Sequence, residues 1–190
     1  MIMNNMEKIF VCILSLLCIT SAMAQEQDPW LGTWTSESYT DMDWENSPKD
    51  SEGTFTEIIN TDYKLVIRIT KSGEHYNVRA KTIKVKDPNY SSYHKPFTIK
   101  GMSGNTMWLE SYVKKLPFTV DYGKGPFVES YSDNTYYYKL TLNNGILHYS
   151  FYKYHSVDYD KNMRYKGEED YDASVYSPRG SELDLFNDDW

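Results

Sequence analysis

Oxygen-bearing side chains near the C-terminal end have the spacing of a calcium-binding loop. Asp158, Asp160 and Asn162 alternate along the chain, and Glu169 follows eleven positions after Asp158, as the ligands of such a loop do. The sixth position of that loop needs a glycine for its sharp turn, but Met163 occupies it, and no flanking helices are predicted. We therefore expect an ordinary acidic connection between strands, with a calcium site as the minor alternative and no other metal.

The sequence contains no motif typical of a catalytic site. Its four histidines are scattered, and none belongs to a His-x-x-x-His pair that would hold zinc. Acidic pairs such as Asp41 with Asp43 lie in hydrophilic segments, where solvated charge is the default. Neither a Gly-x-Ser-x-Gly motif nor a cysteine outside the N-terminal segment offers a nucleophile. The sequence therefore predicts a protein that is not an enzyme and needs no cofactor, with a hydrolase as the remaining alternative.

The first 24 residues have the features of an export signal. Lys8 precedes an apolar run over residues 9–20, and Ala22-Met23-Ala24 supplies the small residues that signal peptidase requires. The run is shorter than the roughly 20 residues needed to span a bilayer. We therefore expect cleavage after residue 24 and export to a periplasm or out of the cell, without lasting membrane insertion. A lipid anchor on Cys18 is disfavoured, because Leu17 precedes it where such sites prefer a small residue.

Composition predicts that residues 25–190 fold as a single domain stabilised by its core. Cleavage removes Cys12 and Cys18, the only cysteines, so no disulfide is expected. The formal net charge of -7 argues against nucleic acid or an anionic membrane as a partner. The chain also carries 18 Tyr, 7 Phe and 5 Trp, enough apolar area to exclude a disordered polymer.

Apolar residues recur with a period of two, which indicates strands. From Tyr63 to Ile69 every second residue is apolar, and the run stops at Ser72-Gly73, which predicts a hairpin. After Thr82 the apolar positions shift to Ile83 and Val85, which predicts a β-bulge or a bend.

Later hairpins complete an all-β prediction. A hairpin is expected across Ser103-Gly104-Asn105, and a second one across Asn143-Asn144-Gly145, where Asn-Gly suits a type I′ turn. With strands at 31–39, 54–59 and after 161, the count is eight or nine. We expect an antiparallel up-and-down meander closed into a barrel, with a two-sheet sandwich as the alternative. Residues 40–53 and 116–132 are predicted to be long loops, and residues 181–186 are a candidate for a short helix.

The tripeptide Gly32-Thr33-Trp34 at the first strand, in a chain of this size followed by a hairpin meander, resembles the lipocalin and wider calycin pattern. Within that pattern the chain resembles the divergent barrels found in bacterial secreted proteins. The resemblance implies that Gly32 and Trp34 close the bottom of the barrel and that an arginine from a late strand packs across the indole. Arg164 is the candidate for that arginine, with Arg179 as the other.

A barrel of eight strands is either filled by side chains or wide enough for one small ligand. We predict an inward aromatic row with hydroxyl tips, suited to a hydrophobic or amphipathic molecule. Met107, Leu109 and Val113 form an equally apolar opposite face, so the register of Trp108 stays open. The alternative is a filled barrel that binds a protein or a glycan, or inhibits a protein, through its loops and an exposed Trp44. The predicted row is Trp108, Tyr112, Tyr136, Tyr138, Tyr149 and Phe151.

Overall fold

The structure, a computed structural model, describes residues 28–43, 45–50, 54–121, 126–174 and 180–188. The predicted export signal, with Cys12 and Cys18, lies outside these residues. All strands belong to the unit Gly32–Trp190. Within the described part of the chain, no helix is long and apolar enough to cross a membrane.

The described residues form eleven β-strands, more than the eight or nine expected. The strands are β1 (Gly32–Ser36), β2 (Tyr39–Met42), β3 (Asn60–Ser72), β4 (His75–Lys84), β5 (Asp87–Tyr93), β6 (Phe97–Ser103), β7 (Thr106–Asp121), β8 (Pro126–Asn143), β9 (Ile146–Asp160), β10 (Tyr165–Asp172) and β11 (Glu182–Asn187).

These strands make one antiparallel sheet. Its ladders run in the order β5-β4-β3-β1-β11-β9-β8-β7-β6, while β2 pairs with β3 and β10 pairs with β9. Most neighbours are consecutive hairpin strands. At the centre, however, the first strand pairs with the last, with Trp34 opposite Asn187. The prediction of an all-β antiparallel fold is confirmed, and among the described residues the ladders do not close into a ring.

The two ends of the sheet approach each other along β4 and β6. Their Cα atoms come within 8 Å, although no ladder joins the two strands in the described ranges. The amide of His94, just before β6, donates a hydrogen bond to the Ala80 carbonyl in β4 at 3.0 Å. β5 pairs only with the end of β4, from Lys81 to Lys84. The space left between β4 and β6 is called the β4–β6 groove below.

One face of the sheet carries the apolar core. On β3, Tyr63, Leu65, Ile67 and Ile69 are all buried, as their alternation predicts. Trp34 is 2% exposed and belongs to the same core. The largest fully buried aliphatic side chains come from six strands: Leu65, Ile67, Ile69, Val78, Met107, Leu109, Leu140, Leu147 and Leu185.

The predicted slip of alternation after Thr82 is wrong for the β3–β4 ladder. That ladder continues in unbroken register to Tyr63 opposite Lys84, and Lys84 points inward with only 7% exposure. Val85, expected to turn inward, is exposed. A register shift does occur between Ile83 and Lys84, but in the β4–β5 ladder.

Three further predictions about elements are corrected. Within residues 181–186, strand β11 begins at Glu182 and no short helix forms, because Leu183 and Leu185 alternate inward between β1 and β9. Much of the predicted loop 116–132 is the paired end of the β7–β8 hairpin. The expected strand at 54–59 is absent from the described residues there, which contain only an isolated bridge between Lys49 and Phe55.

The long strands extend past β11 as a separate four-stranded portion. β9 pairs with β11 through residues 146–150 and then with β10 through residues 153–159. The ends of β7 and β8 continue beside it. We call this portion, made of residues 113–121, 126–136, 153–160 and 165–172, the ribbon.

Candidate binding groove

The β4–β6 groove is a depression of about 740 Å³ between two strand edges. That volume lies within the range of about 300–1,000 Å³ that ligand sites occupy. In the described ladders, β6 pairs only with β7, and β4 pairs only with β3 before Lys81. Main-chain groups along both edges can therefore donate to or accept from a molecule lying in the groove.

The floor of the groove belongs to the apolar face of the sheet. Ile99 is opposite the buried Leu109, and Met102 is opposite the buried Met107, so both face the core side. Ala80 lines the floor from the β4 side. The rim is polar, with Glu74 in the turn before β4 and His75, Asn77 and Arg79 along β4. An apolar floor with a polar rim matches an amphipathic molecule.

Phe97 connects the groove with an aromatic cluster in the core. Its ring meets Tyr138 edge-on, with centroids 5.3 Å apart. Tyr138 in turn stacks on Tyr149 at 5.4 Å and meets the Phe151 ring at 5.7 Å. Such pairs add about 0.5–1.5 kcal/mol beyond the burial of area. Burial, followed by the neighbouring Tyr138, raises the pKa of Tyr149 well above its usual value.

His94 lies at one end of the groove. Its Nε2 is 3.0 Å from the Thr82 hydroxyl, and its ring is tilted against Phe97 at 6.5 Å. Burial lowers the pKa of His94, because the charged imidazolium is disfavoured away from water. A neutral imidazole beside a phenyl ring offers a ligand one polar contact without charge.

A buried ion pair explains why Lys84 points inward. Its Nζ is 2.9 and 3.0 Å from the two carboxylate oxygens of Asp43, and 4.2 Å from the Tyr90 ring centroid. A hydrogen bond from the Asn46 side chain, followed by Lys84, lowers the pKa of Asp43. Burial alone would lower the pKa of Lys84, but Asp43 outweighs it and the pKa of Lys84 is raised. The pair ties the segment after β2 to the end of β4.

The structure brings four of the six predicted row residues together and separates the other two. Tyr149 and Phe151 are buried, with Tyr136 and Tyr138 half-buried on the same face. The buried residues of β7 are Met107, Leu109 and Ser111, so Trp108 and Tyr112 face the other way, and their inward assignment is corrected. Tyr112 is 48% exposed. The two faces of β7 are equally apolar in sequence, which is why alternation did not decide between them.

The predicted closing residues lie far apart. Gly32 and Trp34 are in β1, where Trp34 pairs with Asn187 near the beginning of β9. Arg164 is exposed and follows the other end of β9, a strand of 15 residues. Arg164 therefore does not pack across the Trp34 indole. Arg179 and Trp44 lie outside the described residues.

Of the calcium candidates, Asp158 and Asp160 lie at the end of β9, Asn162 lies in the connection to β10, and Glu169 lies in β10. Asp160 accepts hydrogen bonds from the amides of Asn162 and Arg164 at 2.8 and 2.9 Å, while Asp158 accepts one from the Ser156 hydroxyl at 2.8 Å. Glu169 accepts a hydrogen bond from Tyr171. No three acidic or histidine side chains of the described residues are grouped as a metal site requires.

Sequence reasoning missed Phe97, His94 and Tyr154 as members of aromatic contacts. The β8–β9 ladder has a register shift between Tyr137 and Tyr138. On β9 this shift reverses which side chains face the core. Tyr154 therefore shares a face with Tyr149, although the two are five positions apart and strict alternation would put them on opposite faces. The sequence carries no glycine or proline at that bulge to signal it. Phe97 could have been found, because it precedes a strand-forming run after Pro96.

No protein-family model, curated protein or solved structure matches this chain.

Proposed function

We propose that this chain is an exported, lipocalin-like protein that binds a small amphipathic molecule in the β4–β6 groove. The observation that carries the proposal is the apolar floor of the groove where the two ends of the sheet approach each other. Side chains on the core face of β4 and β6 can contact a molecule that lies there. Phe97 then places the ligand against the aromatic cluster.

The proposal includes closure of the sheet into a barrel of eight strands. β1, β3, β4, β6, β7, β8, β9 and β11 would form its wall, with the β4–β6 approach as its seam. Two facts support this: the Cα atoms across the seam come within 8 Å, and the His94 amide bonds to the Ala80 carbonyl. An intervening strand would need roughly 9.6 Å, twice the usual strand spacing.

The side chains along the groove indicate what kind of ligand fits. Phe97, Ile99 and Met102 favour a ring or an alkyl body, while Arg79 and His75 on the rim favour a polar or anionic head. The core around Trp34 is packed with buried side chains, so it has no room for a ligand. The ligand is therefore expected to lie between the strand edges rather than deep in the barrel.

Fluorescence titration with 8-anilinonaphthalene-1-sulfonate tests the proposal, because this probe joins fused rings to a sulfonate. We expect saturable binding to the folded protein, and binding at least tenfold weaker in Phe97→Ala. Thr98→Ala is the matched control, because Thr98 is the next residue of β6 and is exposed. Melting curves identify any variant that fails to fold. Equal affinity in Phe97→Ala and the wild type, or no binding at all, would reject the groove as the ligand site.

A further inference from the structure

One face of the ribbon carries a row of three tyrosines. Tyr136, Tyr154 and Tyr171 stand opposite one another on β8, β9 and β10. Neighbouring rings stack at 5.1 and 5.5 Å, with planes 24° and 21° from parallel. β10 pairs only with β9 among the described strands, so Tyr171 ends the row at a sheet edge.

A second depression, of about 600 Å³, opens beside this row. Tyr154 and Tyr171 line it together with the ring of Phe118, which is mostly exposed. Three serine hydroxyls and three carboxylates complete most of the lining: Ser130, Ser132, Ser156, Glu129, Asp158 and Asp160. We call this depression the ribbon groove. Unlike the β4–β6 groove, it combines aromatic rings with a dense set of hydroxyl and carboxylate oxygens.

Several of these oxygens are held in place. The Ser156 hydroxyl donates to Asp158 at 2.8 Å, and its oxygen is also 3.1 Å from the Asn134 side-chain oxygen. The Tyr154 hydroxyl donates to the same Asn134 oxygen at 3.0 Å. Asp160 is fixed by two backbone amides in the connection to β10. A molecule entering the groove therefore meets ordered acceptors, which reduces the entropy lost on binding.

We propose that the ribbon groove binds a short neutral glycan. Sugar rings have apolar C–H faces that lie against aromatic rings, and hydroxyl groups that donate to carboxylates in charge-assisted hydrogen bonds. Glu129, Asp158 and Asp160 face only one cation in the lining, Lys166. That charge balance disfavours anionic sugars and other anions. The site is separate from the β4–β6 groove and does not depend on the function proposed for it.

Affinity electrophoresis tests this proposal with gels that contain laminarin, xylan, glucomannan or hydroxyethyl cellulose, all neutral probes apart from the minor acidic groups of xylan. We expect at least one polysaccharide to retard the wild-type protein. Tyr171→Ala should weaken that binding at least tenfold, and Asp158→Asn should weaken it while leaving the melting temperature near that of the wild type. Tyr152→Ala is the matched control, because Tyr152 is an exposed tyrosine of β9 that does not line the ribbon groove.

The results separate the two proposals. Phe97→Ala should keep wild-type retardation in the gels, since Phe97 lies in the other groove. Unchanged mobility of the wild type in all four gels would overturn the glycan site, as would equal retardation of Tyr171→Ala and the wild type.

Discussion

Replacing Leu185 with alanine tests the placement of β11 at the centre of the sheet. Leu185 is 0% exposed and lies opposite Ser36 of β1 and Leu147 of β9. A short helix over the same residues, the interpretation suggested by the sequence, would not join these two strands. The free energy of unfolding of Leu185→Ala therefore reports on the ladder that unites the first and last strands.

The expected loss follows from the atoms removed. Leucine has three more carbon atoms than alanine, and about 0.8 kcal/mol for each gives a transfer contribution of about 2.4 kcal/mol. The cavity left behind adds to this, so the total should reach about 3–5 kcal/mol. At about 2–4 °C per kcal/mol for a chain of this size, the melting temperature should fall by roughly 6–20 °C.

Thermal and urea unfolding followed by circular dichroism supply the measurement. Glu182→Ala is the control, since Glu182 is exposed on the same strand, and its stability should stay within about 0.5 kcal/mol of the wild type. The urea slope should be unchanged if the loss is a simple loss of stability. A Leu185→Ala variant as stable as Glu182→Ala would refute the assignment of β11 between β1 and β9.

Two other substitutions give independent predictions. Gly180→Ala should destabilise the protein more than Gly104→Ala. Both glycines have positive φ, which costs an alanine about 1–2 kcal/mol. A Cβ on Gly180 would in addition lie 2.9 Å from the Tyr39 ring, whereas one on Gly104 would meet no atom within 4 Å. Comparing their melting temperatures checks this, and equal losses would contradict the close contact. In acid, Asp43→Asn should remove part of the pH dependence of stability. The pKa of Asp43 is lowered in the folded protein, so its ion pair with Lys84 stabilises the fold fully above pH 3.8. This stabilisation is lost as the pH falls below that value and Asp43 becomes protonated. Melting curves from pH 6 to pH 2 measure the difference, and parallel curves would argue against it.

The hairpins were predicted correctly because the residues that determine a hairpin, its two strands and its turn, are close together in the sequence. Alternation on β3 is confirmed, and Asn144 and Gly145 have φ of 50° and 77°, as a type I′ turn requires. The C-terminal segment could not be predicted from local patterns in this way. Glu182 to Asn187 alternates like a strand, but its partners β1 and β9 lie far away in the chain, so the sequence around it did not favour a strand over a helix.

The candidate site was less predictable, since it depends on contacts between distant residues. Lys84 points inward because Asp43, 41 residues earlier, neutralises it, and hydropathy alone favours Ile83 and Val85 instead. The β4–β6 groove arises where two strands fail to form a ladder, and no residue pattern marks such an edge. The part of the ribbon within residues 116–132 was predicted as a loop because prolines and glycines interrupt the sequence there, at Pro117, Gly123, Gly125 and Pro126.

The pairing of β1 with β11 determines when folding of the chain can finish. Thr35 bonds to Asp188 across 153 residues, among the longest separations that a chain of this size permits. Bringing such distant segments together costs loop-closure entropy before any stabilising contact forms. Folds dominated by contacts between distant residues therefore form slowly. The edges of β1 and β9 that pair with β11 stay unpaired until β11 docks between them. We therefore expect this part of the sheet to form late in folding.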